Sequence, residues 1–151
     1  LFKKVKQLFM RAGYRAAKVY WFLCRPVRNG AKVVLEYDGT ILFIRHSFTP
    51  HYWSFPGGGI ERGEKPEEAA RRELYEELRV HVEILTLLGA ISISSEYKKD
   101  TVHLFSAPLS SSRVEVDGIE LAEAKWFSLD ELPRLGRNTQ KMLDLYLHAR
   151  K

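Results

Sequence analysis

The segment from Gly58 to Glu77 constrains this 151-residue chain more than any other. Gly58, Gly59 and Gly63 make a loop open to backbone conformations that other residues avoid. Pro66 is placed for the first turn of a helix that continues through Glu67-Glu68-Ala69-Ala70 to about Leu78. On that helix Glu73, Glu76 and Glu77 are related by i,i+3 and i,i+4 spacing and share one face, while Ala70, Leu74 and Leu78 form the face expected to be buried. Carboxylates that close repel one another. They stay ionised together when well solvated, paired with arginine or bound to a cation, and hard oxygen donors without Cys or His select Mg²⁺ or Mn²⁺. A divalent ion there supplies what diphosphate hydrolysis requires: charge neutralisation, orientation and a water of lowered pKa, with a glutamate to take the proton. A carbonyl oxygen near Gly58 is a further candidate ligand, since the glycines let backbone approach an ion or a phosphate. A Glu/Arg-rich helix can equally be a solvated face held by Glu–Arg pairs, so the helix alone leaves both readings open.

The rest of the chain suits a compact globular domain. With 45% hydrophobic and 28% charged residues, it reads as one compact domain that can bury roughly 70% of its unfolded surface. The single cysteine, Cys24, makes no internal disulfide, and no Cys/His ligand spacing occurs, which favours a reducing, cytoplasmic compartment over a zinc site. The formal charge of +5 is unevenly spread: residues 1–28 hold eight of the 24 basic residues and no acidic one, leaving 16 basic against 19 acidic residues, net −3, in 29–151. Two units follow, a basic amphipathic helix in 1–28 and a mildly acidic catalytic domain in 29–151.

Apolar residues recur at helical spacing from Phe2 to Leu23, and Pro26 with Asn29-Gly30 ends that pattern. Strands are expected at about 31–36 and 40–45, joined as a hairpin by Asp38-Gly39, then at about 82–94, 101–107 and 124–127. Ser128-Leu129-Asp130-Glu131 reads as a capping box opening a short helix, and a last helix is expected over 138–149. A mixed sheet covered by helices on both sides fits this order.

The segment resembles the box of the Nudix hydrolase (MutT-like) superfamily, G-x5-E-x7-R-E-U-x-E-E-x-G-U, with Gly58, Glu64, Arg72, Glu73, Leu74, Glu76, Glu77 and Val80 in register. The resemblance covers about residues 31–135, taking in the Trp53-Ser54-Phe55-Pro56-Gly57 lead-in and the strand Glu123 to Phe127. It implies an α/β/α sandwich with a mixed sheet, here preceded by an amphipathic helix, and a Mg²⁺- or Mn²⁺-dependent pyrophosphohydrolase. That enzyme would cleave the diphosphate linkage of a nucleoside triphosphate, dinucleoside polyphosphate or nucleotide sugar. Glu73, Glu76 and Glu77 become the implied metal ligands, Arg72 and Glu64 brace the loop against the helix, and Glu120 resembles the extra carboxylate of a later loop, in competition with Asp117 and Glu123. The chain departs from the pattern at Arg79, where the family usually has a glycine ending the helix, which puts the helix end in question more than the carboxylates.

Candidate substrate contacts are Arg45 and His46 for phosphate, and Tyr52, Trp53, Phe55 and Tyr97 for stacking on a base. ADP-ribose hydrolases of the family often carry a proline about sixteen residues after the box, where this chain has Tyr97 and no proline. The basic helix leaves open a dock on the domain or a homodimer partner, peripheral membrane contact through residues 1–25, and a targeting segment. A nucleic-acid partner is disfavoured because the basic residues cluster on one helix without interleaved aromatics resembling a strand-stacking platform, although triphosphorylated or capped RNA ends stay open as diphosphate substrates. The competing class is a Nudix-like module that binds nucleotides without hydrolysing them; such modules commonly lose a box carboxylate, and this chain keeps them all.

Overall fold

The structure, a computed structural model, describes residues 4–7, 9–10, 12–13, 27–95, 98–116 and 118–151. Six strands, β1 (Val27–Tyr37), β2 (Thr40–His46), β3 (Gly57–Gly59), β4 (Thr86–Ser95), β5 (Lys98–Pro108) and β6 (Leu121–Ser128), form one mixed sheet. Its path runs β4-β5-β1-β2-β6, with β3 added beside β1; β1 and β5 are parallel and the other neighbours antiparallel. Helices α1 (Pro66–Leu78) and α2 (Arg137–Ala149) cover the two faces.

The apolar runs of β1 and β2 explain the two-sided covering. Alternate side chains point to opposite faces, so a run with no polar gap needs cover on both. Ala31, Val33, Leu35, Leu42 and Ile44 pack with Ala69, Ala70, Leu74 and Leu78 of α1, whereas Val34, Ile41 and Phe43 pack with Met142, Leu143 and Tyr146 of α2. The expected buried face of α1 is all there, and the Tyr146 hydroxyl ties α2 to β1 by donating to the Glu36 carboxylate.

The hairpin turns through Asp38 and Gly39, both at positive φ (46° and 73°), as a two-residue loop of this kind requires. Its strands pair only beside that turn, Tyr37 with Thr40 and Glu36 with Ile41. Beyond it they separate, and the lead-in to the glycine loop wedges between them. The Val33 amide donates to the Pro56 carbonyl at 3.0 Å, and Ile44 and Ser54 exchange bonds of 2.8 and 2.9 Å. That wedge seats the loop on the sheet.

Three expectations need comment. Residues 128–131 form a turn rather than a helix: the Glu131 amide reaches the Ser128 carbonyl at 3.2 Å, and Pro133 is unable to supply the next amide of a helix. The N-terminal stretch is helical at 4–7, 9–10 and 12–13, and the rest of the expected span lies outside the described residues. At Arg79 the helix stops as a glycine would stop it, with φ 57° and ψ 32° and the Arg79 amide 3.0 Å from the Tyr75 carbonyl. The Arg79 guanidinium lies 5.1 Å over the Tyr75 ring, which offsets part of the cost of the left-handed conformation.

Candidate active site

β3 places the glycine loop against α1 more closely than side chains would permit. Gly57 has φ +121°, and a Cβ there would sit 2.1 Å from the Ala31 carbonyl oxygen. A Cβ on Gly58 would sit 2.5 Å from Glu73 Oε1, so the Glu73 carboxylate occupies the space that the missing side chain leaves.

Arg72 clamps the loop to the helix. Its Nε and Nη2 grip the two Glu64 oxygens at 2.8 and 2.9 Å, Nη2 also reaches the Gly59 carbonyl at 2.9 Å, and Nη1 donates to Glu73 at 2.9 Å and to Glu76 at 3.3 Å. The Arg72 hydrogen bonds, then that from the Glu61 amide, lower the Glu64 carboxyl to about 2, and the same contacts raise the Arg72 pKa. The brace inferred for Arg72 and Glu64 has the geometry for that role. Glu76, with 57% of its side chain exposed, stands at the outer edge.

Glu77 lives in the opposite environment. It is 6% exposed, accepts the Gly57 amide at 2.8 Å, and has a pKa raised to about 7. Burial is the main cause; Lys32 and the Gly57 amide pull the value down, and the charges of Glu73 and Glu120 push it up. The tertiary fold thus brings Glu120, distant in sequence, to the same end of α1 as Glu73 and Glu77. A buried carboxylate with two others nearby calls for a cation, and the donors are all oxygen, the type that suits Mg²⁺ or Mn²⁺. Among the described residues no three His, Cys, Asp or Glu groups already converge on a single point, so side-chain rotation would have to complete the ligand set.

The proposed substrate contacts divide. His46 sits at the end of β2 beside the bulge at Arg45/His46, stacked on Phe48 at 5.0 Å. Burial, then the Lys32 charge, lowers its pKa to about 3, and its Nδ1 is buried without a hydrogen-bond partner. Neutral at ordinary pH, it can meet a phosphate only through a ring N–H. Arg45 is paired with Glu123 at 2.5 Å and lies 5.4 Å over the Trp53 ring. Trp53 packs edge-on to Phe127 at 5.1 Å, half-buried, and Tyr52 is exposed beneath Arg134. Phe55 does not fit a stacking role: it is 0% exposed and stacked on Phe43 at 4.8 Å, leaving no ring face for a base. Tyr97 and Asp117 lie outside the described residues.

Lys32 is the residue that reading the sequence missed. It sits in β1 among fully buried Ala31, Val33, Val34 and Leu35, and its ammonium donates to the Gly57 carbonyl. The Gly57 backbone therefore links Lys32, at its carbonyl, to Glu77, at its amide. A lone lysine inside an apolar strand was the available signal. Two clefts meet at this end of the sheet. One, of about 750 Å³, is lined by residues 59–64, Asn29, Arg72 and Glu73; the other, about 240 Å³, by Lys32, Asp100, Ile93, Val102 and the glycines 30, 58 and 59.

The NUDIX domain family model matches residues 26–147. The chain is similar to an RNA pyrophosphohydrolase of Aeromonas hydrophila, 30% identical over 122 residues, covering 80% of this chain and 63% of the relative. It is also similar to the NAD-capped RNA hydrolase NudC of Pseudomonas aeruginosa, 31% identical over 130 residues, covering 83% of this chain and 46% of that protein. It spans less than two thirds of either relative. Among solved structures, a MutT NUDIX hydrolase from Burkholderia pseudomallei superposes with a TM-score of 0.73 at 28% identity, over 80% of this chain and 98% of that one.

Proposed function

This chain belongs to the NUDIX family, and from that premise we propose that it is a divalent-cation-dependent hydrolase of a diphosphate linkage in a nucleoside diphosphate derivative. The observation that carries the reading is Glu77, buried under the glycine loop: burial first, and then the charges of Glu73 and Glu120, push its pKa up to about 7. A merely solvated helix face has no reason to bury a carboxylate beside two others.

Glu73, Glu77 and Glu120, with the outer Glu76 and a carbonyl of the Gly57–Gly59 loop, would hold the ion. Bound there, Mg²⁺ or Mn²⁺ supplies neutralisation of phosphate charge and a more acidic water. Arg72 keeps Glu73 against Gly58 and fixes the loop through Glu64 and the Gly59 carbonyl. The Gly57 amide orients the Glu77 carboxylate, and one of the glutamates takes the proton of the attacking water. Lys32, one of the residues lining the smaller cleft, would add positive charge beside a bound phosphate chain.

The test is incubation with Mg²⁺ or Mn²⁺ and nucleoside triphosphates, nucleotide sugars, dinucleoside polyphosphates and 5′-triphosphorylated RNA, with release of phosphate and diphosphate measured beside Glu77→Gln. Release that Glu77→Gln abolishes supports the hydrolase and identifies its substrate class. Metal binding without release from any compound moves the assignment to a nucleotide-binding module.

A further inference from the structure

The first 28 residues carry eight lysines and arginines and no acidic residue, whereas residues 29–151 are net −3. In the described part of this segment the side chains sort by direction. Gln7 turns toward the domain, and its Nε2 donates to the Gly118 carbonyl at 3.2 Å. Val5 and Phe9 lie about half a turn round the helix from Gln7. They are 41% and 72% exposed, and Met10 is 36% exposed. A helix docked on its own domain buries its apolar side and leaves its polar side wet. Among the described residues of this segment a glutamine meets the domain, and a valine and a phenylalanine face solvent.

We propose that this outward face lies on an anionic bilayer surface, with Val5 and Phe9 entering the headgroup boundary. Lys4 lies about 100° round the helix from Val5, so its stem runs along the apolar side while its ammonium group stays with the lipid phosphates. Charge complementarity selects this occupant. A second copy of the chain would bring another segment of the same positive sign against the first, while an anionic surface attracts every lysine and arginine in it. The net-negative domain contributes no attraction of its own. With eight lysines and arginines among 28 residues, the segment suits an in-plane position at the interface. Through Gly118, two residues before Glu120, it adjoins the loop that carries the candidate fourth carboxylate. The proposal does not depend on the hydrolase reading.

The experiment is co-sedimentation of the full chain with phosphatidylcholine vesicles, with and without about one third phosphatidylglycerol. Binding is expected only with the anionic lipid, weakened about tenfold by the double substitution Val5→Glu, Phe9→Glu and severalfold by Lys4→Gln. Circular dichroism establishes that the variants remain folded. Absence of binding to anionic vesicles, or binding that the glutamate pair leaves unchanged, overturns the proposal. So does a dimer in sedimentation equilibrium that the same pair dissociates, because the face would then be covered by a second copy.

Discussion

Glu64 and Glu77 are carboxylates of one loop-and-helix unit, yet the fold drives them in opposite directions: Arg72 lowers Glu64 to about 2, and burial raises Glu77 to about 7. The first has a permanent cation supplied by the chain, and its two oxygens are saturated by a guanidinium fork. The second has one backbone amide, a lysine nearby that bonds the Gly57 carbonyl, and the repulsion of Glu73 and Glu120. One carboxylate is finished as structure, while the other is complete only when a further positive charge arrives. The contrast teaches that the same residue type, a few turns apart, becomes a brace or a ligand according to what the fold places opposite it.

The largest expected effect is at the unfinished end. Glu77→Gln should lower hydrolysis about 10²–10⁴-fold with little loss of stability in metal-free protein, read by turnover assays beside thermal unfolding. An active variant would remove Glu77 from the centre of the comparison.

The glycines separate folding from ligand placement. Gly57→Ala meets the Ala31 backbone at 2.1 Å with φ at +121°, and should cost about 3 kcal/mol or more in denaturant unfolding. Gly58→Ala meets first the carboxylate end of Glu73, at 2.5 Å, rather than backbone, and should cost about 1 kcal/mol or less. Its effect should appear instead as a 10–100-fold loss of Mn²⁺ affinity by calorimetric titration, an order of magnitude typical of disturbed ligand orientation.

The two carboxylates also predict opposite pH dependences of stability without metal. Glu77 binds its proton more tightly when folded, so its contribution is full below the ordinary carboxylate value and falls as pH rises from 4.5 to about 7, on the order of 3 kcal/mol in all. Glu64 holds its proton less tightly when folded, so its contribution is present above 4.5 and is lost as pH falls toward 2. Urea unfolding across that range should show the upper slope vanish in Glu77→Gln and the lower one flatten in Glu64→Gln. The smallest effect is expected at the helix end, where Arg79→Gly should stabilise the chain by about 0.5–1 kcal/mol, less whatever the contact with Tyr75 contributes.

Much of this was legible in residue order because the relevant signals are local. Ala70, Leu74 and Leu78 recur at helical spacing and are buried; Pro66 and Leu78 bound α1; Asp38-Gly39 turns the hairpin. The alignment of Glu73, Glu76 and Glu77 on one face follows from helix geometry alone. Local signals also misled. The Ser128-to-Glu131 capping pattern lost to Pro133, and the aromatic Phe55, suited in isolation to stacking on a base, was claimed by the core through Phe43.

The sequence by itself determined most of the elements, though not β3 or the turn at 128–131, together with the faces of α1 and the pattern that places the chain in its family, since each depends on residues within a few positions of one another. Tertiary structure alone decided which carboxylate is clamped and which is buried. It alone brought Glu120 near Glu77, set the Gly57 backbone between Lys32 and Glu77, and turned Phe55 inward. Desolvation and Coulomb repulsion act across space between residues tens of positions apart, so they take their values only when the sheet closes over the helix.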